Sequence, residues 1–444
     1  MTDHALTRRD WLKLGGASLL AAGTATVPSE VFAQYTCQVC DVPADAAPPQ
    51  KTFELEIGDT DARLVDGERV NLLAFRLASA NGAWTVPGPV LRVTEGMTVR
   101  IKITNLRKEM HAFEITGIPE SKTEVAPNCS CWVQFTAPVG GTYLYHDAFG
   151  NTPLYRLLGL HGVLVVAPLN GVTKKNATNP YPSHTPYSLE LLTAPQRNNI
   201  TKLFNALGTT ERFLGGPEGK WVPCTDDEDY SHQEKVWVMQ EIDPRFQALV
   251  VRGQQLLSAP QLTGDVVNNF VPRYFQLNNR SGFDLNKGED ICPDNYIGEP
   301  TLIRMVNVGI AHHSPHIHGN HVFRLSQADL DPASPTFGQV QVADNIFEVD
   351  TWSMWPMERR DILLPFEIPP DIPYKPLLAT DPQGIQFDRM VARQAKEPFP
   401  LRYVVHDHVE MATTAGGGNY PQGMVTHWEI MGGLGGRKLQ TARL

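Results

Sequence analysis

The chain has 444 residues, 42% apolar and 19% charged, with 36 Gly and 35 Pro; this apolar content excludes a disordered chain, and the turn formers point to many short elements. Its 48 acidic and 38 basic residues give a net charge of −10 with no basic cluster in the body of the chain, which argues against nucleic-acid or anionic-membrane binding. No run of 18 apolar residues occurs, so no spanning helix is expected, and six Cys are too few for a disulfide scaffold in a chain of this length.

The first 33 residues read as an address. Thr7-Arg8-Arg9-Asp10-Trp11-Leu12-Lys13 is similar to a twin-arginine export signal, although Trp11 stands where Phe is usual. A mild Gly/Ala/Leu stretch and Val31-Phe32-Ala33 follow, placing cleavage before Gln34. The mature chain is then expected in the periplasm or outside the cell, where disulfides persist. Residues 34–49 form a Cys-containing N-terminal segment.

Beyond Pro49 the pattern has period two. Val99, Ile101 and Ile103 alternate with Arg100, Lys102 and Thr104, the mark of a half-buried strand. Val133 and Phe135 continue it, Gly140-Gly141 makes a turn, and Tyr143-Leu144-Tyr145-His146-Asp147 ends another strand. Residues 301–306, 362–364 and 403–407 repeat this logic. Tyr-x-x-His-Asp occurs at Tyr143 and again at Tyr403, and Asn105 precedes His111 by the interval that separates Asn307 from His313. These matches point to an internal duplication. An all-β chain of two domains is expected, residues 50–168 and 235–444. A linker, 169–234, carries one helix around Pro195–Leu207 and packs over the surface or across a partner. Insertions near Asp329–Asn345 and Glu367–Pro398 either shape a pocket entrance or are solvated loops.

Fourteen His are unevenly distributed: His312, His313, His316, His318 and His321 lie within ten residues, His406 and His408 form His-x-His, and His111 and His146 sit at strand ends. Alternate strand residues share a face, so His-x-His aims two imidazoles at one centre. Imidazole suits copper, zinc, iron and nickel. His161 and His427 read as structural, His321 as a surface-loop residue, Met110 as core, and Trp352, Met354 and Trp355 as packing or pocket wall.

Four segments carry a family resemblance. They are Gly88-Pro89-Val90-Leu91-Arg92-Val93-Thr94-Glu95-Gly96, residues 135–146 ending in Tyr145-His146, His313-Ser314-Pro315-His316-Ile317-His318-Gly319, and His406-Asp407-His408 with Gly423-Met424 downstream. The chain resembles the cupredoxin-domain copper enzymes, namely multicopper oxidases (laccases) and copper nitrite reductases, over most of residues 50–168 and 270–435. The resemblance implies two Greek-key β-sandwiches. It also exposes departures. Asp407 and Asp147 stand at the two positions where these families carry the type 1 copper Cys, and Ala412 replaces a type 1 His. A blue-copper centre needs thiolate, so no type 1 copper is expected.

Six cluster histidines remain: His111, His146, His316, His318, His406 and His408. On the laccase pattern they are an incomplete trinuclear cluster. On the nitrite reductase pattern His111, His146 and His406 hold one type 2 copper, with His316 and Glu109 as its neighbours. That pattern implies ligands shared between subunits of a homotrimer. Three imidazoles and an open position suit catalysis. Glu109, Asp147 and Asp407 are candidate acids, bases or ligand orienters, and a buried carboxylate beside imidazole often only fixes the ring tautomer.

The expected function is an exported copper oxidoreductase acting directly on a small molecule, with O2 a candidate co-substrate and one to three copper ions. Two alternatives stand beside it, a copper-binding scaffold and a metal-dependent hydrolase or lyase on the same ligands. Among the cysteines, one arrangement pairs Cys37 and Cys40 with Cys129 and Cys131, and Cys224 with Cys292. A four-Cys metal site is the alternative for the first four.

Overall fold

The computed structural model describes residues 37–432 apart from 38–39, 41, 43–44, 79–81, 175–182, 208–220, 222–232 and 368–399. The export signal, Cys224 and most of the second insertion lie outside the described residues. No helix among those described is long and apolar enough to cross a membrane.

The first half forms nine strands: β1 (Lys51–Arg63), β2 (Arg69–Leu77), β3 (Leu91–Thr94), β4 (Thr98–Asn105), β5 (His111–Ile115), β6 (Ile118–Val125), β7 (Ser130–Thr136), β8 (Gly141–His146) and β9 (His161–Ala167). They make two sheets, ordered β2-β1-β4-β7 and β3-β9-β8-β5-β6. The predicted alternation is met in β4, whose Val99, Ile101 and Ile103 are buried while the residues between them are half-exposed. Those three pack with Leu55, Ile57 and Phe113 from both sheets, the arrangement of a sandwich core.

The second half adds β10 (Glu234–Ile242), β11 (Tyr274–Leu277), β12 (Asp294–Asn295), β13 (Thr301–Asn307), β14 (Pro315–Ile317), β15 (Val322–Arg324), β16 (Ser326–Ala328), β17 (Val340–Val342), β18 (Glu348–Val349), β19 (Arg359–Leu364), β20 (Leu401–Asp407) and β21 (Val425–Ile430). Its sheets run β11-β10-β13-β19-β15-β18 and β12-β21-β20-β14, with a β16-β17 hairpin. The pairing repeats the first half: β1 lies parallel to β4 and antiparallel to β2, as β10 lies parallel to β13 and antiparallel to β11. The duplication reaches single hydrogen bonds. Asn105 Nδ2 donates to Glu109 O (2.8 Å) and its Oδ1 accepts from Arg107 N, while Asn307 Nδ2 donates to Ala311 O (2.9 Å) and its Oδ1 accepts from Gly309 N.

The two sandwiches share a buried interface. Every residue of β8 is buried, because its second face meets β13 and β19 of the other half. Leu144 and Val163 pack on Val238, Val306 and Val308. Beside them Asp361 accepts from Thr142 Oγ1 and Tyr187 OH and pairs with Arg304 (3.3 Å), which also reaches Glu234 (2.9 Å).

The expected linker helix is present at Ala194–Ala206, with a Thr193/Gln196 capping box. It buries Ile200, Leu203 and Phe204 and reaches Val342 O through Gln196. Residues 340–342 of the insertion 329–345 line a small cavity against Glu95, Tyr187 and Gln196, away from the histidine cluster. The insertion's hairpin lies against domain one, where Gly117 and Gly338 approach so closely that a Cβ on Gly117 would sit 2.2 Å from Gly338 O. Cys37–Cys129 and Cys40–Cys131 are disulfides, which excludes the four-Cys metal site. Cys292 is a free buried thiol against Thr426 Oγ1 (3.3 Å), not a disulfide cysteine. Trp352 and Met354 are core, whereas Trp355 is exposed and lies 4.5 Å from the His312 ring.

Asp361→Ala should destabilise the protein by about 3–5 kcal/mol, because it leaves the fully buried Arg304 short of charge compensation. Urea unfolding measures this, and a loss below about 1 kcal/mol would show the interface does not rest on that carboxylate.

Candidate metal centre

Strand β20 alternates as its sequence dictates: Val405 and Asp407 point into the core, and Arg402, Val404 and His406 point out. His316 of β14 lies directly across from His406 in the antiparallel ladder. Two residues further along the chain from each, in the bends just past the strand ends, come His318 and His408. Four imidazoles therefore converge. His316 lies 4.6 Å from His318, 5.3 Å from His406 and 5.2 Å from His408 by ring centroid.

The ligand atoms of His316, His318 and His406 all lie within 4.8 Å of one another. His318 Nε2 and His406 Nε2 are 3.3 Å apart. Two tetrahedral ligands at about 2.0–2.1 Å from one ion sit about that far from each other. The opposite ring nitrogens are held: His316 Nδ1 by Asp350 O (2.9 Å) and Thr351 Oγ1 (2.7 Å), His406 Nδ1 by Asp407 O (3.0 Å). This is the outer support that orients metal-ligating imidazole. Burial, followed by the neighbouring His318, lowers the His316 pKa, which keeps that ring neutral and able to ligate. The donor set fits a copper or zinc ion.

Asp407 does not face this cluster. Its Oδ2 takes His313 Nδ1 (2.6 Å) and its Oδ1 accepts from the backbone N–H of Ser314 (3.0 Å) and Val409 (2.8 Å). His313 Nε2 meets Glu241 Oε1 (2.7 Å), and all three side chains are buried. Gly309 makes room for this, since a Cβ there would stand 2.0 Å from the Glu241 carboxylate. Burial opposes charge on His313, but its hydrogen bonds to the Asp407 and Glu241 carboxylates overcome it and raise its pKa to about 9.

Domain one repeats the device. His111 Nδ1 meets Asp147 Oδ2 (2.6 Å), and Asp147 Oδ1 accepts from Ala112 N (3.0 Å) and Phe149 N (2.8 Å). Glu109 lies 3.4 Å from His111 Nε2 and is held by Arg107 Nε (3.0 Å). His111 is thus the counterpart of His313, as the Asn105 and Asn307 spacing already indicated. The face that carries four imidazoles in domain two carries Glu114, Thr116, His146 and Ala148 in domain one, where Glu114 pairs with His146.

The six sequence candidates therefore divide. His316, His318, His406 and His408 come together. His111 is sealed in its own domain between Asp147 and Glu109. His146 follows Thr142 and Leu144 onto the face against domain two, where burial and then Arg156 lower its pKa to about 3. The expected trio of His111, His146 and His406 is not assembled within one chain; His111 is fully buried, with Nδ1 on Asp147 and Nε2 3.4 Å from Glu109. Glu109, Asp147 and Asp407 do not reach the imidazole cluster with their carboxylates. Asp147 and Asp407 do fix imidazoles, but those of His111 and His313 rather than of the His beside them.

A cleft of about 740 Å³ opens beside the cluster, bounded by His406, His408, Phe275, Met411, Tyr420 and Arg273 among others. Sequence reasoning missed Arg273 and Tyr420, which lie in loops without period or motif. It also missed Glu241, which the fold brings to His313 from a strand remote in sequence.

Residues 74–171 match the family model of the multicopper oxidases. Over 102 residues the chain is 30% identical to a copper-containing nitrite reductase of Neisseria meningitidis, a match covering 20% of this chain and 26% of that protein. The matched stretch is thus about a quarter of that relative. Across 86% of both chains the fold superposes on the blue copper oxidase from Nitrosomonas europaea with a TM-score of 0.53 at 18% identity. It superposes on the multicopper oxidase mgLAC over the same shares with a TM-score of 0.52 at 18% identity. The cupredoxin-like all-β architecture and the likeness to copper oxidases expected from the sequence both hold.

Because the His313 pKa is raised above its unfolded value, its charge stabilises the fold fully below about pH 6.5, and that stability is lost as pH rises through about 9. The loss should be about 3 kcal/mol across that window. Urea unfolding from pH 6 to 10 reads it, and a His313→Gln variant should show a flatter pH dependence. Equal slopes in the two proteins would count against a charged His313.

Proposed function

We propose that this chain is an exported copper oxidoreductase that takes a small-molecule substrate directly at a type 2-like histidine centre on domain two. The observation that carries this reading is the convergence of His316, His318 and His406, with His408 beside them, on an open face next to a cleft. One copper per chain is the simplest loading, and His408 leaves room for more. A bound copper would supply Lewis acidity and one-electron redox chemistry. The four imidazoles hold the ion, Thr351 and the Asp350 carbonyl fix the His316 tautomer, and Asp407 acts as a positioning residue from behind the strand. No type 1 relay is proposed, since the carboxylates of Asp407 and Asp147 occupy the places where the relatives' pattern has thiolate. O2 is the candidate co-substrate.

A homotrimer completes the proposal. In domain one the face of β8 is covered by β13 and β19 of the same chain. The equivalent face of domain two exposes Arg402, Val404 and the histidines. A second copy is proposed to cover it, leaving the centre between subunits. Export to the periplasm by the twin-arginine route is supported by the two disulfides, which suit an oxidising compartment.

Elemental analysis and electron paramagnetic resonance after copper reconstitution test the proposal. About one copper per chain is expected, with a type 2 spectrum and no strong band near ~600 nm. His406→Ala should lose most of the copper and His321→Ala should keep it. A strongly blue protein would overturn the ligand assignment. Zinc alone, or no metal at all, would move the reading to the hydrolase or scaffold alternatives.

A further inference from the structure

The cleft beside the histidine cluster has a chemical polarity of its own. At one end it is bounded by His406 and His408, which present imidazole to it. Its walls are apolar and aromatic, from Phe275, Met411 and the exposed ring of Tyr420. Its volume of about 740 Å³ lies within the range of small-molecule sites. Arg273 is its one Lys or Arg side chain among the described lining residues.

Arg273 is held rather than adrift. Its backbone N–H donates to Ile242 O (2.9 Å), and its guanidinium Nη2 donates to Gly416 O (3.0 Å). The guanidinium rests on Gly417, where a Cβ would stand 2.2 Å from Nη2 and where φ is +87°. Arg273 is exposed at the cleft and forms no ion pair with a described carboxylate, unlike Arg107, Arg304 and Arg360, each of which pairs with a Glu or Asp. Glu410 also borders the cleft, exposed on the 3-10 turn at Glu410–Thr413, and its side chain has no such seat. Asp407 is spent on His313 and two backbone N–H groups.

From this arrangement, and resting on the metal-centre reading above, we infer that the cleft binds small aromatic carboxylates, with Arg273 clamping the carboxylate and the ring's other substituent directed at the histidine cluster. The planar fork of Arg matches a carboxylate, and one Nη2 bond to Gly416 leaves the rest of the fork for the ligand. The aromatic and Met walls take the ring face. Arg273 is thus the residue that sets substrate charge preference at this site.

Calorimetry with 4-hydroxybenzoate and with phenol, on copper-free and copper-loaded full-length protein, tests the inference. 4-Hydroxybenzoate should bind at least about tenfold tighter than phenol in both forms, as a charge-assisted hydrogen bond supplies. Arg273→Ala should erase that preference and leave phenol affinity within about twofold. Gly417→Ala, which keeps the charge but displaces the guanidinium, should also reduce it. Copper content unchanged in both variants confirms that the fold and the centre are intact. Equal binding of the two ligands by the wild-type protein, or an unchanged preference in Arg273→Ala, would overturn the assignment. Failure of the protein to take copper would overturn the metal reading alone, because the preference is also read without metal.

Discussion

The geometry of the proposed centre depends on one carboxylate that never touches it. Asp407 anchors the end of β20 through two backbone N–H groups and His313. With Asp407 fixed inward, strand alternation throws both neighbours outward, so His406 and His408 share the opposite face without adjustment. The same anchor ties β20 to the segment before β14, through Ser314 N, which sets the register that puts His316 across from His406. An internal ion pair and a ladder register thus preorganise His316 and His406 on strands, with His318 and His408 one residue past the strand ends, which holds the proposed site more closely than long loops would.

The two halves show how one design yields a ligand cluster once and a structural joint once. Each has the Asn that bridges the turn before the His, and each has the His–Asp pair. They differ on the outer face of the paired strands. Domain one carries Glu114, Thr116 and Ala148 there with a single His, and packs it against domain two. Domain two carries four His on that face, together with exposed Val404 and Arg402. A smaller exchange separates the inner pairs. Arg107 in domain one sits where domain two has Gly309, so Arg107 links Asp59 and Glu109, whereas the space above Gly309 lets Glu241 reach His313 itself.

Much of this was legible in the sequence, because periodicity and spacing are local. The alternation of Val99, Ile101 and Ile103, the linker helix around Pro195–Leu207, the repeated Tyr-x-x-His-Asp and the two His-x-His segments each specify an element or a face without reference to the rest. What stayed hidden required the third dimension. The partition of six histidines turned on whether His111 matches His313 or a cluster ligand, and family-pattern matching pulled against the Asn105/Asn307 spacing that gave the right answer. His146 was misplaced because a strand-end His looks the same whether its face meets solvent or another domain. Glu241 and Arg273 carry no local signal, since each gains its role from a neighbour dozens of residues away.

The carboxylate–imidazole pairs also bear on the order of folding and metal loading. A buried thiolate left without its ion would carry an uncompensated charge or take a proton, and a core built on it leans on metal for stability. His313 with Asp407 and Glu241, and His111 with Asp147 and Glu109, carry their own compensation through hydrogen bonds inside each sandwich. The imidazoles proposed as ligands lie outside those cores, on a face where His318 and His408 are exposed. Folding is therefore separable from loading in this architecture. The strands can reach their register first, and the ion then meets a site whose ring orientations are already fixed by Asp350, Thr351 and the Asp407 carbonyl.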